Sequence, residues 1–198
     1  ANRAGRGYVP SESRELAMAS TRQVDREGML FVAGETGEVY QHTAGLVILD
    51  TSQCPDFSFE HLKSKAIERI DDVPHFRWRL EEVPLGLDMP YWVEDEDFSY
   101  DNHFKRIAVP SPGDREALSE VVAHLYSRHL DRSRPLWELW LIEGLEGGKF
   151  ALLQKLHHRL PRAEQTGEEA GLAVRVQGVH IEAAQGRDHF AQGVSGWA

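Results

Sequence analysis

The fold is decided by residues 135–158, which read PLWELWLIEGLEGGKFALLQKLHH. Two apolar runs, 135–142 and 150–155, flank a glycine-containing turn at 146–148. Such a pattern is typical of a β-hairpin or of two neighbouring buried strands. The second run leads into His157 and His158, so the sequence predicts two imidazoles at the mouth of a buried strand. We look for chemistry there first.

The composition is that of an ordinary folded domain. Of the 198 residues, 41% are apolar and 27% are charged, which suits one domain or one half of a larger two-domain enzyme. A net charge of −10 argues against nucleic acid as the main partner, because phosphate binding needs concentrated Lys and Arg. The single cysteine, Cys54, cannot form an internal disulfide, which allows a reducing compartment. No apolar run approaches the ~20 residues of a membrane-spanning helix. We therefore predict a cytoplasmic protein.

Apolar patterns upstream of the hairpin predict the remaining elements. Strands are expected at 43–49, 75–80, 91–93 and 104–109. A first helix should begin after Ser58, with Phe57 packing on Leu62, and should be stopped by Pro74. A second should be capped by Ser111 with Pro112 at its first position. This order of elements favours an α/β two-layer sandwich, in which helices cover a mostly antiparallel or mixed sheet.

The chain divides into three parts by composition. Residues 1–22 are polar and are predicted to be a flexible lead-in, and residues 23–160 carry the predicted elements. Residues 161–198 hold one leucine and are rich in Gly, Gln and Ala, so we interpret them as a poorly specified tail, truncated or altered. Within that tail, residues 174–177 alternate like a half-buried strand.

The chemistry of the histidine pair follows from strand geometry. Consecutive side chains of a strand point to opposite faces, so His157 and His158 should not reach the same point. No Cys, Asp or Glu stands nearby at ligand spacing, and we predict no metal. One imidazole facing a cleft could take a proton from an alcohol or thiol at neutral pH, with the other packing behind it. The alternative is a purely structural histidine pair at a strand end.

Other signatures of catalysis or cofactor binding are absent from the sequence. No serine stands in a Gly-x-Ser-x-Gly motif, and there is neither a phosphate-binding loop nor a dinucleotide fingerprint. We therefore predict no cofactor. Trp137 and Trp140 are interpreted as core residues, with the lining of a substrate site as the alternative.

Several segments together resemble the bacterial wax ester synthase/diacylglycerol acyltransferase family. The most specific is Pro-Leu-Trp at 135–137, followed some twenty residues later by His157-His158. Further matching segments, in order, are 31–36, 42–46, 73–77, 82–87, 130–138 and 143–148. The likeness covers roughly residues 22 to 158.

This resemblance implies a fold, an activity and site residues. The fold is like that of the coenzyme-A-dependent acyltransferases, in which two similar α/β domains enclose a tunnel. In the family motif His-His-x-x-x-Asp-Gly, the second His is the general base. Carried over by position, that base is His158, with His157 beside it. The partners implied are fatty acyl-CoA as co-substrate and a diacylglycerol or fatty alcohol as acceptor, with at most peripheral contact with a membrane or lipid bodies.

The sequence departs from the family at two points. Arg162-Ala163 stands where the family has Asp-Gly, which replaces a negative charge beside the base with a positive one. The C-terminal domain of the family is also expected to be missing. The resemblance thus predicts an acyl-CoA-dependent O-acyltransferase of triacylglycerol or wax ester synthesis. The alternatives are an inactive acyl-chain or protein-binding scaffold of the same fold, and a non-ribosomal-type condensation domain.

Overall fold

The computed structural model describes residues 22–24, 39, 41–71 and 73–157, and the backbone of 180–183. The described strands are β1 (Arg22–Gln23), β2 (His42–Asp50), β3 (Trp78–Glu81), β4 (Tyr91–Glu94), β5 (Phe104–Ala108), β6 (Trp137–Glu143), β7 (Phe150–His157) and β8 (His180–Ala183). The described α-helices are α1 (Phe59–Ile70) and α2 (Arg115–Tyr126).

The main sheet is built around the predicted hairpin. Its strand order is β5-β6-β7-β2-β8, with β6 antiparallel to β7 and Trp137 opposite Leu156. The turn between them uses Gly147 and Gly148 at φ of 72° and 70°, which a glycine adopts without strain. Strand β5 is parallel to β6, and α2 forms the connection between them. The hairpin prediction is confirmed, and the sheet is mixed.

The two helices cover opposite faces of this sheet. The Ser58 side-chain oxygen accepts the His61 N–H at 3.2 Å, which caps α1 as predicted. The buried face of α1 packs on Leu139, Leu141 and Leu152. Because side chains alternate along a strand, the neighbouring residues Ile142, Ala151 and Leu153 face the other way and pack on α2. The hydrophobic core therefore lies in two sections, one on each side of the sheet.

A second sheet of three strands, in the order β1-β4-β3, stands beside the main one. Its core combines Leu80 and Trp92 with Leu130 and Leu136 from the connection between α2 and β6. This packing holds the segment that enters β6 against the small sheet. Both sheets thus position the start of β6.

Two predicted boundaries were wrong. Helix α2 begins three residues later than the predicted first position at Pro112: its cap is Asp114, whose carboxylate accepts the Ala117 N–H at 2.9 Å. Gly113 precedes that cap at φ 78°, a conformation that ends the turn rather than continuing a helix. Residues Pro74–Arg77 form a 3-10 turn, so β3 begins at Trp78 instead of residue 75.

The predicted fold class, a mixed sheet with covering helices, is confirmed. The predicted strand at 174–177 lies outside the described residues. Among the helices of the described part of the chain, none combines the length and apolar character needed to cross a membrane.

Candidate functional site

His157 is the last residue of β7 and is held by its neighbours. Its backbone N–H donates to the Leu136 carbonyl oxygen at 3.0 Å, and it stands opposite His42 in the register of β2 and β7. Only 4% of it is exposed. Alternation along β7 places its side chain on the face of Leu153, which α2 covers. His157 therefore belongs to the interior, and the predicted base, His158, lies outside the described residues.

The end of α2 is bound by side chains from two strands. The fully buried Lys155 ammonium donates to the carbonyl oxygens of Leu125 at 2.9 Å and Arg128 at 2.6 Å. His42 Nε2 donates to the Tyr126 carbonyl oxygen at 2.9 Å. The Leu125 and Tyr126 carbonyls belong to the last turn of α2, where carbonyls lack a partner within the helix and carry the negative end of its dipole, which a cation stabilises. The Arg128 carbonyl follows two residues after the helix ends. We call Lys155, His42 and these three carbonyls the helix clamp.

A partly buried carboxylate balances the charge beside the clamp. Glu138 accepts from Lys105 Nζ at 2.6 Å and from Trp140 Nε1 at 2.9 Å, and it lies 3.9 Å from Lys155 Nζ. Burial raises the pKa of Glu138, but the hydrogen bonds from Lys105 and Trp140 outweigh it, and the net pKa is lowered. Burial lowers the pKa of Lys155. One anion is thus shared between two cations.

A second histidine site lies where β5 begins. His103 is 2% exposed, and its ring stacks on Trp137 at 4.3 Å and on Phe98 at 5.2 Å between centroids. Its Nδ1 donates to the Trp137 carbonyl oxygen at 2.8 Å. Burial lowers the pKa of His103, which favours the neutral ring. With the proton on Nδ1, the lone pair is on Nε2.

His103 also lines a cavity of about 310 Å³ at the starts of β5 and β6. The sequence interpretation missed this residue. The only signal that could have found it is its position directly before a strand and among Phe98, Tyr100 and Phe104, which is too common a pattern to indicate a site.

The two tryptophans differ in their surroundings. Trp137 is 2% exposed, donates from Nε1 to the Phe76 carbonyl oxygen at 2.7 Å, and belongs to the core while one part of it lines the cavity. Trp140 is half-buried on the α2 face. Both therefore pack as core residues, and Trp137 also borders the cavity.

The remaining candidates are structural or paired. Cys54 is buried in the core on the α1 side. Arg132 pairs with Glu82 and Arg134 with Asp131, at 3.4 and 3.2 Å. Within the ranges that the structure describes, no three His, Cys, Asp or Glu side chains come together as a metal site.

Comparison with known proteins decides the family. Residues 26–161 match the wax ester synthase/diacylglycerol acyltransferase catalytic domain. The chain belongs to this family. The match includes the Pro-Leu-Trp segment, the whole of β6 and β7, and both His157 and His158. The resemblance stated from the sequence is thereby confirmed.

The names of similar proteins agree with this family assignment. Two Mycobacterium tuberculosis proteins named as diacylglycerol O-acyltransferases are each 42% identical to it, over 131 and 116 residues. These alignments cover 66% and 59% of the chain, but 27% and 43% of the relatives. The chain therefore spans less than half the length of these curated relatives.

Solved structures give the same fold. The wax ester synthase/diacylglycerol acyltransferase from Marinobacter aquaeolei VT8 has a TM-score of 0.61 and 33% identity, covering 70% of this chain and 33% of that one. The starter condensation domain of rhizomide synthetase, solved with C8-CoA, has a TM-score of 0.54 at 12% identity, covering 74% of this chain and 33% of that chain. The second likeness concerns the fold alone.

Proposed function

We propose that this chain carries the histidine-bearing part of an O-acyltransferase, which moves a fatty acyl group from acyl-CoA to the hydroxyl of a diacylglycerol or long-chain alcohol. Family membership and the names of the relatives support it. The observation that carries it is the burial of His157 at the end of β7, with its side chain on the α2 face. Because His157 is buried in the interior, we assign the reaction to the other residue of the pair, His158.

In the proposed reaction the unprotonated His158 imidazole takes the proton of the acceptor hydroxyl. The oxygen attacks the thioester carbonyl, the carbon–sulfur bond breaks, and the coenzyme A thiolate recovers the proton from the imidazolium. The products are an ester and free coenzyme A. In this proposal His157 is a positioning residue, because its backbone hydrogen bond to Leu136 holds the end of β7 beside the start of β6.

The test is a thiol-release assay on the 198-residue chain, with palmitoyl-CoA and either a diacylglycerol or hexadecanol. The variants are His158→Ala, the double reversion Arg162→Asp/Ala163→Gly, and the matched control His124→Ala on the exposed side of α2. We expect acceptor-dependent release that His158→Ala lowers about 10²- to 10⁴-fold, while His124→Ala leaves it unchanged.

The pattern across the variants separates the proposals. Release only after the double reversion, and lost again when His158→Ala is added, supports the assignment of the base and marks the natural chain as a degenerate enzyme. Activity that survives His158→Ala contradicts the assignment of the base. No thiol release from either the natural chain or the double reversion would contradict catalysis by this chain and favour the inactive scaffold.

We also propose peripheral contact of this chain with a membrane or lipid body, where its acceptor would be found. Leu85 and Leu87, on the turn before β4, are 93% and 79% exposed. Acidic Glu82 and Asp88 flank them, so we expect binding to neutral phosphatidylcholine vesicles that anionic lipid does not strengthen. Vesicle sedimentation with Leu85→Asn, suited to its φ of 62°, and Leu87→Ser should show at least a severalfold loss. Unchanged binding would contradict this contact.

A further inference from the structure

The cavity at the start of β5 is lined by His103, of which only one ring nitrogen has a hydrogen-bond partner in the described part of the chain. Only 2% of His103 is exposed, and its Nδ1 donates a hydrogen bond to the Trp137 carbonyl oxygen. Within the described residues no hydrogen bond to its Nε2 is formed, and the ring lines the cavity. The polar or aromatic lining residues used below include His103, Lys105, Asp131, Arg134, Trp137 and Glu138.

The chemistry of the lining selects a hydrogen-bond donor. A neutral imidazole whose Nδ1 holds the proton can only accept at Nε2. A phosphate or carboxylate oxygen placed there would meet a lone pair. A hydroxyl group, in contrast, can donate to Nε2 while its oxygen accepts from a neighbouring cation.

The charged side chains that line the cavity each have a partner of opposite charge, and the third carboxylate, Asp101, pairs with Lys63 outside the lining. Lys105 pairs with Glu138 at 2.6 Å, and Arg134 pairs with Asp131 at 3.2 Å. Neither cation is therefore left to compensate a bound anion, whereas each pair can still exchange hydrogen bonds with hydroxyl groups. This arrangement favours a neutral ligand that carries several hydroxyls.

The size of the cavity restricts the ligand further. Its volume of about 310 Å³ is at the small end of the range of about 300–1,000 Å³ for small-molecule pockets. The apolar residues of its lining are Leu130, Pro135 and Trp137, against which the carbon–hydrogen groups of a polyol can pack. A long acyl chain has too little apolar surface here.

We propose that this cavity binds a small neutral polyol of glycerol type, with one hydroxyl donating to His103 Nε2 and the others bonded to the Lys105–Glu138 and Arg134–Asp131 pairs. The polyol is either free or the head of an acylglycerol. Binding at this site does not depend on catalysis by His158, and it is measured separately.

The site is connected to His157 through the start of β6. The His157 N–H donates to the Leu136 carbonyl oxygen, and His103 Nδ1 donates to the next carbonyl, that of Trp137. Two consecutive carbonyls, one directly before β6 and one on its first residue, therefore position His157 and His103. A polyol head bound at His103 would lie beside the end of the sheet where β7 ends.

The test is nitrogen NMR of the full chain with ¹⁵N-labelled histidine rings. The ligands are glycerol, water-soluble monobutyryl glycerol, propan-1-ol as the single-hydroxyl control, and inorganic phosphate as the anion control. We expect a saturable shift of the His103 Nε2 signal, with propan-1-ol binding about tenfold more weakly than the polyol because it lacks the further hydrogen bonds. Phosphate should leave the signal unmoved.

Two variants of one residue separate ligand binding from folding. His103→Asn can keep a donor to the Trp137 carbonyl and loses Nε2, whereas His103→Phe keeps the stacking on Trp137 and Phe98 and loses both nitrogens. Each variant whose tryptophan circular dichroism is native should lose polyol binding at least tenfold, measured by tryptophan fluorescence.

The outcomes are distinct. A shift with both polyols indicates a free polyol as a ligand, and a shift with monobutyryl glycerol alone indicates the head of an acylglycerol. No saturable shift with either compound, a shift with phosphate instead, or full binding by a folded His103 variant would overturn the proposal. Should neither variant fold, the nitrogen spectrum of the natural chain decides alone.

Discussion

Two buried histidine regions in the described part of the chain use the same side chain in opposite ways. In the helix clamp, His42 and Lys155 give their hydrogen-bond donors to backbone carbonyls at the end of α2. At the start of β5, His103 gives one nitrogen to a backbone carbonyl and keeps the other at the cavity. Both regions are buried, so burial alone does not identify a site.

The two regions differ in the partners of their polar side-chain atoms. A side chain whose polar atoms end on helix carbonyls contributes to stability, because those carbonyls would otherwise be buried without a partner. A side chain with an acceptor at a cavity contributes to recognition. We therefore expect changes in the clamp to affect the free energy of unfolding, and changes at His103 to affect ligand binding.

The largest expected effect is that of Lys155→Met. This change leaves the Leu125 and Arg128 carbonyls without their donor and removes one cation from Glu138, so we expect a loss of about 3 kcal/mol in the free energy of unfolding. Urea denaturation measures it. Lys105→Met is the matched control, since that side chain is 34% exposed and should cost only about 1 kcal/mol. Equal losses would contradict the clamp.

A smaller effect is expected for His42→Phe. The ring shape and the edge contact with Tyr126 are kept, and the hydrogen bond to the Tyr126 carbonyl oxygen is lost. We expect a loss of about 1–2 kcal/mol in the same denaturation experiment. Tyr126→Phe is the control: it removes the long 3.4 Å bond to the His42 carbonyl oxygen and should cost less than about 0.5 kcal/mol. A larger cost for the control would place the stabilisation in the tyrosine hydroxyl.

The smallest effect is a dependence of stability on pH. Because burial lowers the pKa of His103 in the folded state, the unfolded chain binds more protons below its ordinary pKa of 6.5. The stability present above pH 6.5 should therefore be lost as the pH falls towards the folded pKa. Denaturation midpoints between about pH 7.5 and about pH 5.5 should fall less steeply in His103→Asn than in the natural chain. The same slope of midpoint against pH in both proteins would contradict a contribution of His103 to the pH dependence of stability.

The sequence predicted what local patterns determine. The apolar run at 46–49, the Ser58 cap and the hairpin before His157 each carry their own signal, and the structure has β2, α1 and β7 there. The start of α2 was misplaced because Ser111-Pro112 matches a helix start equally well. The helix start is instead set by Gly113 at φ 78° and by the Asp114 cap. The close approach of Gly113 to Gly144 is a tertiary contact, which a local pattern does not show.

Only part of the candidate site could be predicted in this way. The sequence singles out His157 and His158 because they are adjacent at the end of an apolar run and because the motif is specific, and their role as a site stays a prediction. His103 and Lys155 depend on contacts with residues 34 and 30 positions away, which no local pattern encodes. Lys155 in particular stands inside an apolar run, where its charge gives no indication that it reaches the end of a helix. The roles assigned to His158 and to the tail at 161–198 stay predictions.

The central claim is that the adjacent histidines differ, with His157 held in the interior and His158 available to a substrate. Diethyl pyrocarbonate, which modifies accessible neutral imidazoles, followed by tandem mass spectrometry of the 155–160 region, tests it without requiring turnover. We expect rapid modification of His158, slowed by palmitoyl-CoA, while His157 reacts only on unfolding. Modification of His157 before His158 in the folded chain would contradict the account.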